Sequence, residues 1–140
     1  MAKYILYTDG AARGNPGPAG AGCHIENEDG ETIASVSEYL GTTTNNQSEY
    51  KALIFGLEKV LALASQDEDP PVIECRMDSE LIVEQMNQNY KVKHPELKTL
   101  YASVREIIIS LGGAVTFKHV PREKNKKADK LANEAIDNTW

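Results

Sequence analysis

Apolar residues recur along this chain at two different periods, and the changes of period mark out its elements. Residues 3–9, KYILYTD, are rich in Tyr, Ile and Leu and stop at Asp9-Gly10, which predicts a strand. Residues 10–22, GAARGNPGPAGAG, read as a Gly/Pro loop able to turn sharply and to approach another group closely. Residues 21–27 and 32–40 then form a hairpin around Glu28-Asp29-Gly30. From Asn46 to Ala64 the period becomes helical, with Leu53, Ile54, Leu57, Val60 and Leu61 on one side. Thr44 with Gln47, or Asn46 with Glu49, offers a capping box for that helix.

The second half alternates. VIECRM (72–77) predicts a fourth strand, and Asp78-Ser79 caps a short helix from 79 to about 88. Pro95 opens a further helix with Leu97, Leu100, Val104, Ile107, Ile108 and Leu111 along one stripe, and Gly112-Gly113 ends it. Residues 114–120 give a fifth strand. Asn125 stands where it would cap a last helix that turns Ala128, Leu131, Ala132 and Ala135 inward. Three consecutive strands followed by alternating units predict an α/β protein: one mixed sheet with helices on both faces, in a single domain over residues 1–140.

Composition places the chain among ordinary globular proteins, with 41% hydrophobic and 26% charged residues. MAKYILYTDG lacks the basic-then-apolar order of a signal peptide, and no run approaches the ~18 apolar residues of a membrane span. A cytoplasmic protein is the expectation, with Cys23 and Cys75 as reduced, buried thiols. A net charge of −6 argues against binding nucleic acid through global attraction. Its distribution alters that conclusion. Residues 1–90 carry 5 Lys/Arg against 15 Asp/Glu, whereas residues 91–130 carry 10 against 4. A chain so divided can build a cation site and a phosphate track separately, although the same lysines can also simply solvate two helices.

Four carboxylates stand at element ends. Asp9 closes the first strand, Glu49 lies in the first turn of the long helix, Asp78 closes the fourth strand, and Asp129 lies early in the last helix. Singly, each has an ordinary role in a turn, a cap or a solvated face. Ligands of open sheets gather beyond the carboxyl ends of the strands, so adjacency of strands one and four would bring Asp9 and Asp78 together. Four converging carboxylates repel, and hard divalent cations are the natural remedy.

These residues resemble type 1 ribonuclease H. Tyr7-Thr8-Asp9-Gly10-Ala11 followed by Gly14-Asn15-Pro16-Gly17 is similar to the family's opening signature. Thr44-Asn45-Asn46-Gln47-Ser48-Glu49 is similar to its second motif, Asp78-Ser79 to its third, and Ala128-Asp129-x-Leu131-Ala132 to its fourth. The resemblance implies a ribonuclease H-like fold with strand order 3-2-1-4-5. It also implies a monomeric endonuclease that cuts the RNA strand of RNA–DNA hybrids, leaving 5′-phosphate and 3′-hydroxyl ends. Two Mg²⁺ ions, with Mn²⁺ as an alternative, would be held by Asp9, Glu49, Asp78 and Asp129. Gly10, Ala11, Ala12 and Asn45 would meet the RNA strand, and Asn15, Thr44 and Asn46 the minor groove and the DNA phosphate.

Three departures qualify the resemblance. Glu80 replaces a glutamine that would meet a 2′-hydroxyl. Residues 87–98 are too short for an extra basic helix and loop. The loop Pro121–Lys127 has no histidine; Arg122 or Glu123 could partly substitute, and Arg122 is preferred because a carboxylate adds repulsion toward the substrate.

Overall fold

The computed structural model describes residues 2–112 and 114–139. Strands β1 (Lys3–Ala12), β2 (Gly17–Glu26) and β3 (Thr32–Thr43) precede helix α1 (Asn45–Ala64). Strand β4 (Val72–Met77), helices α2 (Glu80–Met86) and α3 (Pro95–Leu111), strand β5 (Ala114–His119) and helix α4 (Lys126–Asp137) follow, with a 3-10 turn over Arg122–Lys124. The sheet order is β3-β2-β1-β4-β5. Strand β1 pairs antiparallel with β2 and parallel with β4 in the order the resemblance implies, and β4 ends beside Thr8 while β1 runs on to Ala12.

Alternation within the strands explains the layers. Leu6, Thr8, Cys23 and Ile25 turn one face of the sheet towards α1, where Cys23 Sγ donates to the Ala52 carbonyl at 3.1 Å. That face joins Leu53, Leu57, Val60, Ile73, Met77, Ile82 and Val104 in one buried cluster. Cys23 and Cys75 are both free and buried. Helix α4 covers the opposite face through Gly20 and Gly22: a Cβ at either position would run into the carbonyls of Ala132 or Ala128.

This close approach overturns the loop expected over residues 10–22. Gly10, Ala11 and Ala12 pair with Ala21, Gly20 and Ala19, and only Arg13–Pro16 turn, through a cis Asn15-Pro16 bond. Gly10, Gly20 and Gly22 serve helix packing from within paired strands, with a register shift between β2 and β3 at Ala19/Gly20, whereas Gly14, at φ +110°, and Gly17, where a Cβ would meet the Arg13 carbonyl, serve the turn. Gly30, at φ +82°, is a true turn glycine in the β2–β3 hairpin.

The caps also differ in detail from the sequence pattern. Thr44 accepts from the Gln47 backbone N–H and starts α1 at Asn45, one residue early. Ser79, not Asp78, caps α2 by accepting from Ile82 N–H. Asn125 precedes α4 without a side-chain cap, because its Nδ2 donors turn the side chain towards Thr8 and Asp78. Pro95 opens α3 as expected, and Gly112 closes it in the left-handed region at φ +68°. Gly113, expected to share that role, lies outside the described residues. Among the described residues no helix is long and apolar enough to cross a membrane.

Candidate active site

Asp9 does not close β1, which continues to Ala12; it lies just past the last pair with β4, Thr8 with Met77, and Asp78 follows the last residue of β4 beside it. Glu49 enters from α1, whose first turns press against β1 so closely that a Cβ on Gly10 would clash with the backbone of Ser48 and Glu49. The contact leaves the Gly10 N–H free to donate to Glu49 Oε1 at 3.0 Å. As a result one carboxylate oxygen from each of Asp9, Glu49 and Asp78 lies within 4.8 Å of the others. Asp9 and Glu49 are buried and Asp78 half-buried.

Asp129 is different. It is exposed, accepts from Asn133 Nδ2 at 3.2 Å, and stands at the rim of the group. All four carboxylates line one hollow of about 380 Å³ with Gly10, Ala11, Ala12, Asn45, Asn46, Ser79 and Arg122.

The electrostatics of the group are unfavourable without a cation. Burial holds the Asp9 carboxyl well above the usual carboxylate range, and the neighbouring charges of Glu49 and Asp78 push it the same way. Burial raises Glu49 as well, opposed by hydrogen bonds from the Asp9 carboxyl and the Gly10 amide. Arg122 Nε lies 3.7 Å from Asp78 Oδ2, but its side chain is 88% exposed, so it offsets little of this charge. Among the described residues three buried side-chain oxygens have no hydrogen-bond partner: Thr8 Oγ1, Glu49 Oε2 and Asn125 Oδ1. All belong to this end of the sheet. Unpaired buried acceptors beside clustered carboxylates suit a hard, oxygen-seeking cation.

The expected substrate-contact residues divide among three places. Gly10, Ala11, Ala12, Asn45 and Asn46 line the hollow. Asn15 and Thr44 line an adjoining hollow with Asn46, Gln47, His94 and Glu96, and Asn15 Oδ1 accepts from the Asn45 N–H at 3.1 Å. Glu80 is exposed on α2 and lines neither. Sequence pattern missed Asn125, which it read as a helix cap. In the structure Asn125 Nδ2 donates to the Thr8 carbonyl at 2.9 Å and to Asp78 Oδ1 at 3.2 Å.

Residues 7–135 match the model of a family described as reverse transcriptase-like. Ribonuclease HI of Halobacterium salinarum is 40% identical over 132 residues, which cover 94% of this chain and 63% of that protein. The chain belongs to the type 1 ribonuclease H family.

Within this ribonuclease H family, LC11-RNase H1, crystallised in complex with an RNA/DNA hybrid, superposes with a TM-score of 0.92 at 50% identity, covering 97% of this chain and 98% of that one. The amino-terminal RNase H domain of Rv2228c from Mycobacterium tuberculosis superposes with a TM-score of 0.89 at 37% identity, covering 99% and 96%. The full mycobacterial protein, described as bifunctional, is 40% identical over 136 residues, 96% of this chain. The chain spans 36% of that protein's length. Family membership therefore accounts for the sheet order and for the layers around the carboxylates.

Proposed function

We propose that this chain is a Mg²⁺-dependent endonuclease that hydrolyses the RNA strand of RNA–DNA hybrids. The observation that carries the reading is the convergence of Asp9, Glu49 and Asp78 in a hollow also lined by Gly10, Ala11, Ala12, Asn45 and Asn46. The hybrid bound by LC11-RNase H1, at 50% identity, supports the choice of substrate.

Asp9, Glu49 and Asp78 would hold the ions, with Asp129 completing the set from the rim of the hollow. When bound, the ions supply an activated water and neutralise charge at the scissile phosphate. Gly10–Ala12 and Asn45 face the strand to be cut, where the 2′-hydroxyl distinguishes RNA from DNA by donating to or accepting from backbone and amide groups. Asn15, Thr44 and Asn46, around the adjoining hollow, contact the other strand. Arg122 approaches the phosphate from the loop that lacks a histidine, and its exposed guanidinium is free to pair with phosphate oxygens. Glu80, outside both hollows, would meet the duplex only away from the scissile step. Water oxygen bonds to phosphorus, the P–O3′ bond breaks, and the released 3′ oxygen takes a proton. The products then carry 5′-phosphate and 3′-hydroxyl ends.

The test is cleavage of an end-labelled hybrid with Mg²⁺, beside double-stranded RNA and double-stranded DNA of the same sequence. The expected result is internal cutting of the RNA strand of the hybrid and an intact DNA duplex. Asp78→Asn keeps the side-chain volume but loses the charge that holds a cation. It should lower kcat by well over tenfold, more than ~1.4 kcal/mol, while fold and hybrid binding survive. A variant keeping more than about a tenth of wild-type kcat removes Asp78 from the ligand set.

A further inference from the structure

We propose that Asn125 is the positioning residue that fixes Asp78 for cation binding and ties three of the four carboxylate-bearing elements together. Resting on the cation site proposed above, the inference concerns how the ligands are held in place. Asn125 is 1% exposed, yet no side-chain cap explains its burial. Its Nδ2 has two protons and two acceptors: the Thr8 carbonyl at 2.9 Å and Asp78 Oδ1 at 3.2 Å. Thr8 is the residue before Asp9, so one amide group braces β1 beside Asp9 against the carboxylate that follows β4.

The backbone of Asn125 extends the brace to the last helix. Its carbonyl accepts from the Asp129 N–H at 3.1 Å, and its N–H closes the 3-10 turn on the Arg122 carbonyl at 2.9 Å. Asn125 thus lies at the junction of β1, the β4 end and α4, with Arg122 on its other side.

Donor polarity is the decisive feature. An Asp78 carboxylate that accepts from Asn125 through Oδ1 leaves Oδ2 with one ion-pair partner among the described residues, the exposed Arg122 guanidinium at 3.7 Å, which a cation can displace. The carboxylate is also held in one orientation, so less freedom is lost on binding. Reversing the amide would aim Oδ1 at two acceptors, so the hydrogen-bond network sets its orientation. Asn125 Oδ1 is left without a protein partner, so the side chain is oriented by what its donors reach and not by what its oxygen accepts.

Two substitutions separate positioning from mere packing. Asn125→Asp keeps the shape and replaces the donor by a carboxylate oxygen, whereas Asn125→Ala removes the side chain. Mn²⁺ binding to wild-type protein and each variant is measured by titration of the free-ion electron-paramagnetic signal, with thermal melts to count the folded fraction. Loss of an outer partner of a metal ligand ordinarily weakens metal affinity 10- to 100-fold. Both variants should weaken Mn²⁺ binding by at least about tenfold per folded molecule, and hybrid cleavage by Asn125→Ala should recover to within about threefold of wild type at saturating Mn²⁺.

Unchanged Mn²⁺ affinity in folded Asn125→Ala overturns the inference, as does a melting temperature that drops while affinity per folded molecule stays constant. Tighter binding by Asn125→Asp would make position 125 a ligand and overturn it equally. Wild-type protein that binds no Mn²⁺ overturns the cation site itself and this inference with it. Wild-type binding matched by both variants overturns this inference alone.

Discussion

At the scale of single residues, His119 shows how position in the chain can mislead. It precedes Asp129 by ten residues, close to where a loop histidine would be sought, yet it is the last residue of β5. Its Nε2 donates to the Asp78 carbonyl at 3.3 Å, and the next residue, Val120, donates its N–H to the Met77 carbonyl at 2.9 Å. This contact ties the exposed ring to the end of β4, on a strand and not in the loop that follows. His119→Ala should therefore lower single-turnover hybrid cleavage by less than about tenfold, and Arg122→Ala by more. A hundredfold loss in His119→Ala, with disappearance of a rate limb near pH 6.5, would reverse the assignment. The four carboxylates were legible in the sequence because their residue type and local motifs survive without knowledge of tertiary contacts, although Asp9 lies inside β1 and not at its end. Asn125 was not. Its side-chain partners lie 47 and 117 residues away, and nothing local separates an asparagine that caps from one that reaches across a sheet.

At the scale of elements, the strand and helix order followed from the two hydrophobic periods, and the largest error fell where glycine has two uses. The pattern over residues 10–22 is that of a loop, yet most of it is paired strand. Gly20 and Gly22 leave room for the α4 backbone, a reason visible only once that helix is in place. Gly22→Ala puts a methyl group against the carbonyl of Ala128, so α4 must shift away from the sheet. Overpacking of this kind costs about 1–3 kcal/mol, so the urea midpoint should fall correspondingly with little change in slope. Asp129 rides on the same helix, so activity should fall further than the loss of folded protein accounts for. A midpoint equal to wild type would mean that α4 does not depend on the close approach.

At the scale of the whole molecule, a single acidic site leaves a signature in the stability of the entire chain. The folded state holds the Asp9 proton to higher pH than the unfolded chain does, because burial and the charges of Glu49 and Asp78 oppose ionisation. Above the ordinary carboxylate pKa of about 3.9, the unfolded chain has released a proton that the native state still retains. This contribution to stability is complete at lower pH and is lost as pH rises towards the elevated native value. Asp9→Asn removes the effect. Without divalent ions, its melting temperature should exceed that of wild type by a margin that widens from pH 5 to pH 8, at roughly 4 °C per kcal/mol of relieved repulsion. Saturating Mg²⁺ should narrow the margin by stabilising the wild-type native state alone. A margin independent of pH would show that Asp9 ionises in the folded protein as it does in the unfolded chain. In the language of energy landscapes the carboxylate end of the sheet is locally frustrated: the fold holds its charges together against their own preference. Frustration at one place in an otherwise self-consistent sequence is what a site readied for the cations proposed above would show, at the expense of maximal stability.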